Sequence, residues 1–253
     1  MRYFIEHSYH GKAYCGWQIQ NNGITVQQVL EEKLAILLRE QVKLVGSSRT
    51  DAGVHACQQY AHFDVEGELN DPADLAFRLN GMLPYDIAVG RIMPVSPDVH
   101  SRFDAVYRRY CYKMVRRKDP FLQGQAYYFR KELDMKKMNE ATALLLQYRD
   151  FESFSKIHTD VNHFECDIME ARWEAEGQYL REFHIKANRF LRGMVRALVG
   201  TLLEVGEGKR TVASVEELIL ARNRKMAGPQ APPHGLYLME VGYEPETLSY
   251  RSE

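Results

Sequence analysis

Apolar residues in the first hundred positions of the chain follow two different periods. Through residues 25–39 they recur every three or four positions, which predicts an amphipathic helix. Thr25, with Gln28 three residues later, fits a capping box at the start of that helix. The pair Asp71 and Pro72 is typical of an N-cap and a first helical position, and it predicts a second helix. Strand-like runs fall at residues 2–9, 42–45, 57–65 and 87–95.

The second half of the chain repeats this order of elements. Strand-like runs fall at residues 106–115, 164–175, 179–187 and 236–241, and helical runs at 135–148, 190–205 and 212–222. Each half therefore has the order β-α-β-β-α-β, which is typical of ferredoxin-like, or RRM-like, units. We expect an α+β fold in which two such halves, residues 1–101 and 102–253, pack side by side with a cleft between them.

Composition and cysteine use narrow the class of protein. The 253 residues are 45% hydrophobic and 26% charged, which is typical of a globular protein and not of a disordered chain. No apolar run approaches the roughly 20 residues that span a bilayer, and the N-terminus has a strand pattern instead of a signal-peptide core. The four cysteines are scattered without a C-x-x-C pair, so no zinc or redox motif is indicated. We therefore expect a cytoplasmic protein that is not attached to a membrane.

The net charge of −1 gives the whole chain little attraction for a nucleic acid, but its basic residues are clustered. Residues 100–118 contain seven arginines and lysines against one acidic residue, Asp104. Residues 186–225 contain nine, opposed by four glutamates. Such clusters are typical either of an ordinary solvated surface or of a basic face that follows an RNA backbone.

A polar run at residues 46–56 connects two of the predicted strands and carries an arginine and an aspartate two positions apart, Arg49 and Asp51. Its glycines, Gly46 and Gly53, permit backbone angles that other residues resist. A connection of this length is expected at the rim of a sheet, where binding and catalytic groups collect. On composition alone, a polar loop in which Asp51 caps a turn is the simpler interpretation.

The sequence of this run changes that interpretation. Residues 49–56, Arg-Thr-Asp-Ala-Gly-Val-His-Ala, resemble the active-site motif of the TruA family of tRNA pseudouridine synthases. Further blocks similar to that family follow in its order along almost the whole chain: Gly16–Gln20, Thr25–Gln27, Asn80–Ile87, Arg102–Ala105, Arg108–Tyr112, Asp150–Phe154, Phe190–Arg196 and Gly235–Leu238. One block can match by chance, but so many in the same order cannot.

The resemblance implies a fold and an activity. It implies the pseudouridine synthase fold and the isomerisation of uridine to pseudouridine at positions thirty-eight to forty of the tRNA anticodon stem-loop. It also implies a homodimer, with one tRNA spanning both subunits. The reaction breaks a glycosidic bond, turns the base and joins C5 to the sugar, so it needs no redox or metal step, and we expect no cofactor and no metal.

The same resemblance gives roles to single residues. It implies that Asp51 is the nucleophile, and that Arg49 and Arg196 displace the target base and pair with the Asp51 carboxylate. Whether Asp51 attacks the base at C6 or the sugar at C1′ stays open. Tyr110 is expected to stack on the flipped base or to move a proton, and Leu236 to pack on the other side of the uracil. Strand patterning alone makes Tyr110 and Leu236 ordinary core residues.

His55, Arg189 and Arg192 are further candidates for contact with the substrate. His55 lies within the active-site motif and is expected either to touch the RNA or to hold the loop. Arg189, Arg192 and Arg196 recur at a spacing of three to four residues, so a helix over 190–205 places them in a basic stripe suited to phosphates. Ordinary charges on a helix face have the same spacing.

Two other functions fit parts of this pattern. A non-catalytic RNA-binding protein could use paired ferredoxin-like halves as a platform on which bases stack. It would keep its RNA affinity without Asp51 and would isomerise nothing. A pseudouridine synthase that acts on another RNA would share every motif, and only its product would distinguish it.

Overall fold

A computed structural model of the chain describes residues 1–156 and 162–248. The chain divides into two compact units, one formed by residues 1–107 with the segment from Leu238 onward and the other by residues 108–237. No helix within the described ranges is long and apolar enough to cross a membrane. That residues 1–101 and 102–253 are two similar halves with a cleft between them stays a prediction.

The first unit consists of a sheet and two helices. Its elements are β1 (Arg2–Tyr9), α1 (Val26–Leu38), β2 (Val45–Gly46), β3 (His55–Asp64), α2 (Pro72–Met82) and β4 (Ile87–Val95). Strand β1 is central and pairs antiparallel with β3 on one side and β4 on the other. The short strand β2 adds to β3. Ile5 and Phe63 of the strands and Leu30, Leu34 and Leu79 of the helices are fully buried and form the core.

Local capping explains why the first-unit helices begin where the sequence predicts. The Thr25 hydroxyl accepts a hydrogen bond from the Gln28 backbone N–H at 3.3 Å. The Gln28 side chain binds Glu32 instead of returning to the cap, so only half of the expected capping box forms. At α2, the Asp71 carboxylate accepts hydrogen bonds from the Ala73 and Asp74 N–H groups, both at 2.9 Å. Pro72, which has no N–H, occupies the first turn.

The second unit has a sheet covered by helices. Its elements are β5 (Ala105–Val115), β6 (Tyr127–Tyr128), α3 (Met135–Leu144), β7 (Ile168–Glu176), β8 (Leu180–Ala187), α4 (Met194–Gly206) and α5 (Ala213–Ala221), and β9 (Leu236–Tyr243) begins at its end. Strand β8 pairs antiparallel with β5 and β7, and β6 lies parallel to β5. Helix α4 is buried on almost every side. A Cβ on Gly200 would lie 1.7 Å from the Pro229 carbonyl oxygen, so only glycine lets these backbones meet.

The order of elements is as predicted, with β6 as an addition in the second unit, but some bounds differ. The helix predicted from Phe190 begins at Met194, because Gly193 stands at its N-cap with a φ of +72°. Arg189 and Arg192 therefore precede the helix, and the predicted stripe of arginines on one helix face is wrong. The predicted strand at 164–175 begins only at Ile168.

Candidate active site

The loop between β2 and β3 is tied to its own hairpin at its start. The Ser47 N–H donates to the Tyr60 carbonyl at 2.7 Å, and the Ser47 hydroxyl accepts from the Tyr60 N–H at 3.3 Å. One residue further, the Ser48 carbonyl accepts from the Gln59 side-chain amide at 3.1 Å. Ladder-like bonds thus extend past the end of β2 and fix the path of the chain towards Asp51.

Thr50, the residue before Asp51, is held at its backbone and at its side chain. Its carbonyl accepts from the Trp17 N–H at 3.2 Å. Its hydroxyl lies 2.8 Å from the Tyr9 hydroxyl, which also donates to Gln59 Oε1 at 3.0 Å. A Cβ on Gly16, whose φ is +87°, would lie 2.5 Å from the Thr50 carbonyl oxygen. The close approach that orients this peptide therefore requires glycine on the facing segment.

Asp51 begins a tight turn that closes through its backbone. Its carbonyl accepts from the Val54 N–H at 3.1 Å, and the Gly53 N–H donates to the Tyr14 carbonyl at 3.3 Å with a φ of +78° at Gly53. The Asp51 side chain is half-buried and Arg49 is exposed. The backbone of this loop is thus fixed, and Asp51 itself stays partly exposed to solvent.

His55 lies under the loop. It is 1% exposed, its Nδ1 accepts from the Gly11 N–H at 3.0 Å, and its ring lies 4.3 Å from that of His10. An accepting Nδ1 places the proton on Nε2, which makes this imidazole neutral. This position suits the alternative in which His55 holds the loop, and its contact with RNA stays a prediction.

A layer of rings supports the same loop and was missed by sequence reasoning. The His7 and Trp17 rings stack with centroids 4.7 Å apart, and Tyr9 lies 6.4 Å from Trp17. A Cβ on Gly46 would lie 2.3 Å from the Trp17 indole nitrogen, so the ring is pressed against the end of β2. Burial lowers the pKa of His7 to about 4, which keeps this imidazole neutral in the layer.

Tyr110, on β5 of the second unit, is 9% exposed. Its ring meets the Phe190 ring edge-on, with centroids 5.1 Å apart and planes at 88°. On the neighbouring strand it is opposite Ile185. Phe190, which lies just before α4, therefore packs against the Tyr110 ring in the edge-to-face arrangement that aromatic pairs favour.

Arg196 lies in the first turn of α4 and is locked to a facing loop. Its Nε donates to the Ala231 carbonyl at 2.7 Å, while the Ala231 N–H donates to the Arg196 carbonyl at 3.0 Å. Because Nε is held by this bond, the guanidinium is oriented by the backbone of Ala231.

Leu236 begins β9 and is 6% exposed. The turn before it packs against Tyr112, because a Cβ on Gly235 would lie 2.8 Å from that ring. The Tyr112 hydroxyl donates to the Pro232 carbonyl at 2.9 Å, and burial raises the pKa of this phenol above its usual range. The position of Leu236 is thus set by a tyrosine of β5.

The other two predicted arginines differ from Arg196 in their surroundings. Arg189 is half-buried, and its Nη1 lies 2.8 Å from His163 Nε2. Arg192 is exposed and precedes α4. Asp51, Arg49 and His55 thus belong to the first unit, and the remaining predicted site residues belong to the second: Tyr110, Arg189, Arg192, Arg196 and Leu236.

Comparison with known proteins decides the family. The family model described as tRNA pseudouridine synthase matches residues 6–104 and 141–244. The tRNA pseudouridine synthase A of Parabacteroides distasonis is 52% identical over 247 residues, which cover 98% of this chain and 97% of the relative. Those of Bacteroides fragilis and Porphyromonas gingivalis are 49% and 47% identical, covering 97% and 96% of this chain and 97% of each relative. The chain belongs to the TruA family of tRNA pseudouridine synthases, a family of isomerases.

The matched segments cover most of the predicted site of this TruA-family enzyme. The first contains the Asp51 loop, and the second contains Arg196 and Leu236. Tyr110 falls between them, so its assignment depends on the tyrosine block of β5 and on relatives that align over nearly the whole chain. The α+β architecture of mixed sheet and helices agrees with the pseudouridine synthase fold expected for this family.

One group of potential metal ligands in the enzyme was missed by sequence spacing. Ligand atoms of Cys111, Glu182 and His184 all lie within 4.8 Å of one another. Cys111 and His184 are opposite each other on β5 and β8, although 73 positions apart in the chain, so a search for local motifs does not find them. Lys113 lies 3.4 Å from Glu182, and its charge opposes cation binding there. The expectation of no metal stays a prediction.

Proposed function

We propose that this enzyme isomerises uridine to pseudouridine at positions thirty-eight, thirty-nine and forty of the tRNA anticodon stem-loop, with Asp51 as the nucleophile. The observation that carries the proposal is the Asp51 loop. Thr50 is held at its carbonyl and its hydroxyl, and the Asp51 carbonyl closes a turn, while the Asp51 side chain stays half-buried. A carboxylate whose backbone is held on both sides is preorganised for nucleophilic attack, because it approaches the reacting carbon in the same geometry in each turnover.

The chemistry requires a group that can form and release a covalent bond. Attack by the Asp51 carboxylate, on C6 of the base or C1′ of the sugar, holds one fragment while the N1–C1′ bond breaks and the base turns. C5 then bonds to C1′, the C5 proton leaves, and the carboxylate is released. N1 gains a proton in exchange for the one lost from C5, so pseudouridine has the same composition as uridine, and the step consumes no oxidant, reductant or cofactor.

The roles proposed for the other residues follow from their surroundings. Tyr110, edge-on to Phe190, would stack on the extruded base or take the C5 proton. Arg196, aimed by the Ala231 carbonyl, and the exposed Arg49 would orient the Asp51 carboxylate and displace the base. Leu236 would pack on the opposite side of the uracil.

We further propose that the enzyme acts in the cytoplasm as a homodimer, with one tRNA in contact with both subunits. The proposal follows from family membership and from the sequence blocks shared along nearly the whole chain. Sedimentation of the purified protein, alone and with tRNA, should give two chains in both samples. A single chain that binds tRNA and converts it would contradict the dimer and leave the reaction intact.

One experiment tests the reaction and separates it from its rivals. Total RNA, tRNA included, from a strain lacking this activity is incubated with the purified protein, and pseudouridine is mapped by base-specific chemistry. New pseudouridine at the three anticodon-arm positions supports the proposal. Tight binding with no new pseudouridine in any RNA would identify a non-catalytic binding protein. Pseudouridine confined to another RNA would identify a synthase of different specificity.

A further inference from the structure

A groove of about 510 Å³ in the second unit is lined by three cationic residues and by one loop. Its cations are Lys156, Arg224 and Lys225, and the loop at residues 227–230 forms its wall. None of these lining residues, all of which the structure describes, is acidic or aromatic. We call this feature the Arg224 groove.

Arg224 is a partly buried cation without a carboxylate partner among the described residues. Its Nη1 donates to the carbonyl oxygens of Ala227 at 3.4 Å and Gly228 at 3.2 Å. Burial lowers the pKa of this guanidinium below its usual value, as expected for a charge that is desolvated without a counter-ion. An arginine nevertheless stays charged at neutral pH. The groove therefore has positive charge that the described chain does not neutralise.

The two lysines extend this charge across the groove. The Lys225 side chain is exposed. The Lys225 backbone N–H donates to the Asn223 side chain at 3.0 Å, so the backbone from which the lysine side chain extends is held in place. The Lys156 N–H donates to the Arg192 carbonyl at 3.0 Å, so the exposed Arg192 adjoins the same surface.

One loop connects the Arg224 groove to Arg196. Residues 227–230 form the wall of the groove, and the next residue, Ala231, exchanges two hydrogen bonds with Arg196. Between them, Gln230 Nε2 donates to the Gly193 carbonyl at 3.3 Å, and the Gly228 N–H donates to the Thr201 hydroxyl at 3.0 Å. These bonds to Gly193, Arg196 and Thr201 attach both the wall of the groove and Arg196 to α4 and its N-cap.

We propose that the Arg224 groove binds a backbone phosphate of the RNA substrate, near the nucleotide that Arg196 contacts. The proposal rests on the proposed function for the identity of the RNA. The Arg224 charge, which no described carboxylate pairs, favours an anion, and a wall without aromatic rings offers no surface on which a base can stack. The contact therefore positions the RNA by its backbone and does not read its sequence.

The test compares Lys225→Gln with Lys136→Gln, a matched change of an exposed lysine on α3 of the same unit. Lys225→Gln should weaken tRNA binding about three- to tenfold and lower the log-log salt slope by roughly 0.7 to 0.9, the loss of one phosphate contact. The kcat at saturating tRNA should stay unchanged, because such a contact is made equally before and during the reaction. Lys136→Gln should behave as wild type. Equal affinities and equal salt slopes for the two variants would overturn the proposal.

Two further measurements distinguish an RNA contact from a site for free phosphate and from the reaction itself. Titration with inorganic phosphate shows whether the groove takes the free ion instead: phosphate binding that Lys225→Gln removes, with unchanged tRNA affinity, would contradict an RNA contact. Binding is also measured in the Asp51→Asn background, where it needs no turnover. In that background, a lower salt slope with Lys225→Gln than without it would support the phosphate contact. If wild type at the same time forms no pseudouridine, the groove is supported and the proposed reaction is rejected.

Discussion

Different interactions hold two regions of the molecule in place. The first region is the Asp51 loop, residues 46–56, in the first unit. The second region, in the second unit, is Arg196 with the segment at residues 224–231. The hydrogen bonds that hold the backbone of the Asp51 loop come from backbone groups and neutral side chains: Thr50 is bonded to Trp17 and Tyr9, and Gly53 to Tyr14. Around Arg196, charged side chains are bonded to carbonyl oxygens, as in the contact of Arg196 with Ala231. The same holds for Arg224 beside residues 227–228.

This difference predicts how each region fails. Short neutral hydrogen bonds to a fixed backbone control geometry, so changes in the first region should lower kcat and leave RNA affinity nearly unchanged. Exposed or half-buried arginines and lysines attract phosphates at every stage, so changes in the second region should raise KM and alter the salt dependence. Tyr110, Arg196 and Leu236 are exceptions, because they belong to the second unit and are proposed to act on the base or on the Asp51 carboxylate.

The largest effect is expected at the nucleophile. Asp51→Asn keeps the shape of the side chain but cannot form the covalent bond, so turnover should fall by at least about a hundredfold. Single-turnover conversion of tRNA measures the rate, and filter binding should give an affinity near that of wild type. Asp64→Asn is the matched control, since Asp64 pairs with Arg2 at the end of β3 in the same unit. Faster turnover than a hundredth of wild type in Asp51→Asn would remove Asp51 as nucleophile.

The next largest effect separates the two roles proposed for Tyr110. If its hydroxyl takes the C5 proton, Tyr110→Phe binds tRNA normally and reacts on the order of a hundredfold slower. If stacking is its only role, Phe retains most of the rate and Tyr110→Ala loses it. We expect the first outcome. Release of tritium from C5-labelled uridine in tRNA measures the step directly.

The control for Tyr110 is Tyr148→Phe, which removes a hydroxyl bonded to Glu216 in the same unit. This variant should release tritium at the wild-type rate. Release at the wild-type rate by Tyr110→Ala would show that Tyr110 does not belong to the site.

A smaller effect is expected at Tyr9, a positioning residue of the Asp51 loop. Its hydroxyl joins Thr50 to Gln59, and Tyr9→Phe removes that bridge while keeping the ring. Losing about 1 kcal/mol of hydrogen bonding should lower kcat roughly five- to tenfold with little change in KM. Tyr3→Phe, which removes a buried hydroxyl bonded to the Leu69 N–H, should lower stability without this loss of kcat. Equal kcat values for both variants and wild type would contradict the positioning role.

The sequence predicts elements best where local chemistry sets their ends. Thr25 and Asp71 cap α1 and α2 as expected, because a cap involves residues two or three positions apart. The start of α4 is mispredicted, because Phe190 and Leu191 continue the apolar pattern of the helix while the backbone of Gly193 leaves it. A left-handed glycine changes the path of the chain without changing the hydrophobic pattern.

Contacts that join distant segments were beyond the sequence. The motif indicates Asp51, but nothing local indicates that Tyr9 and Trp17 hold the residue before it. The Arg224 groove likewise forms because Lys156 and Lys225 meet across the second unit. Cross-strand pairs have the same property, since register brings together residues with no sequence spacing in common.

The smallest effect is expected on removal of metal, and the group of Cys111, Glu182 and His184 makes the test specific. Lys113 beside Glu182 already supplies the positive charge that a bound cation would provide, and the proposed reaction uses no Lewis acid. Dialysis against EDTA, with the tRNA refolded separately, should leave turnover unchanged, as should Cys111→Ser. A loss of turnover that zinc restores in wild type but not in Cys111→Ser would locate a functional metal at this group. The second unit would then depend on a metal as well as on its arginines and lysines, unlike the Asp51 loop.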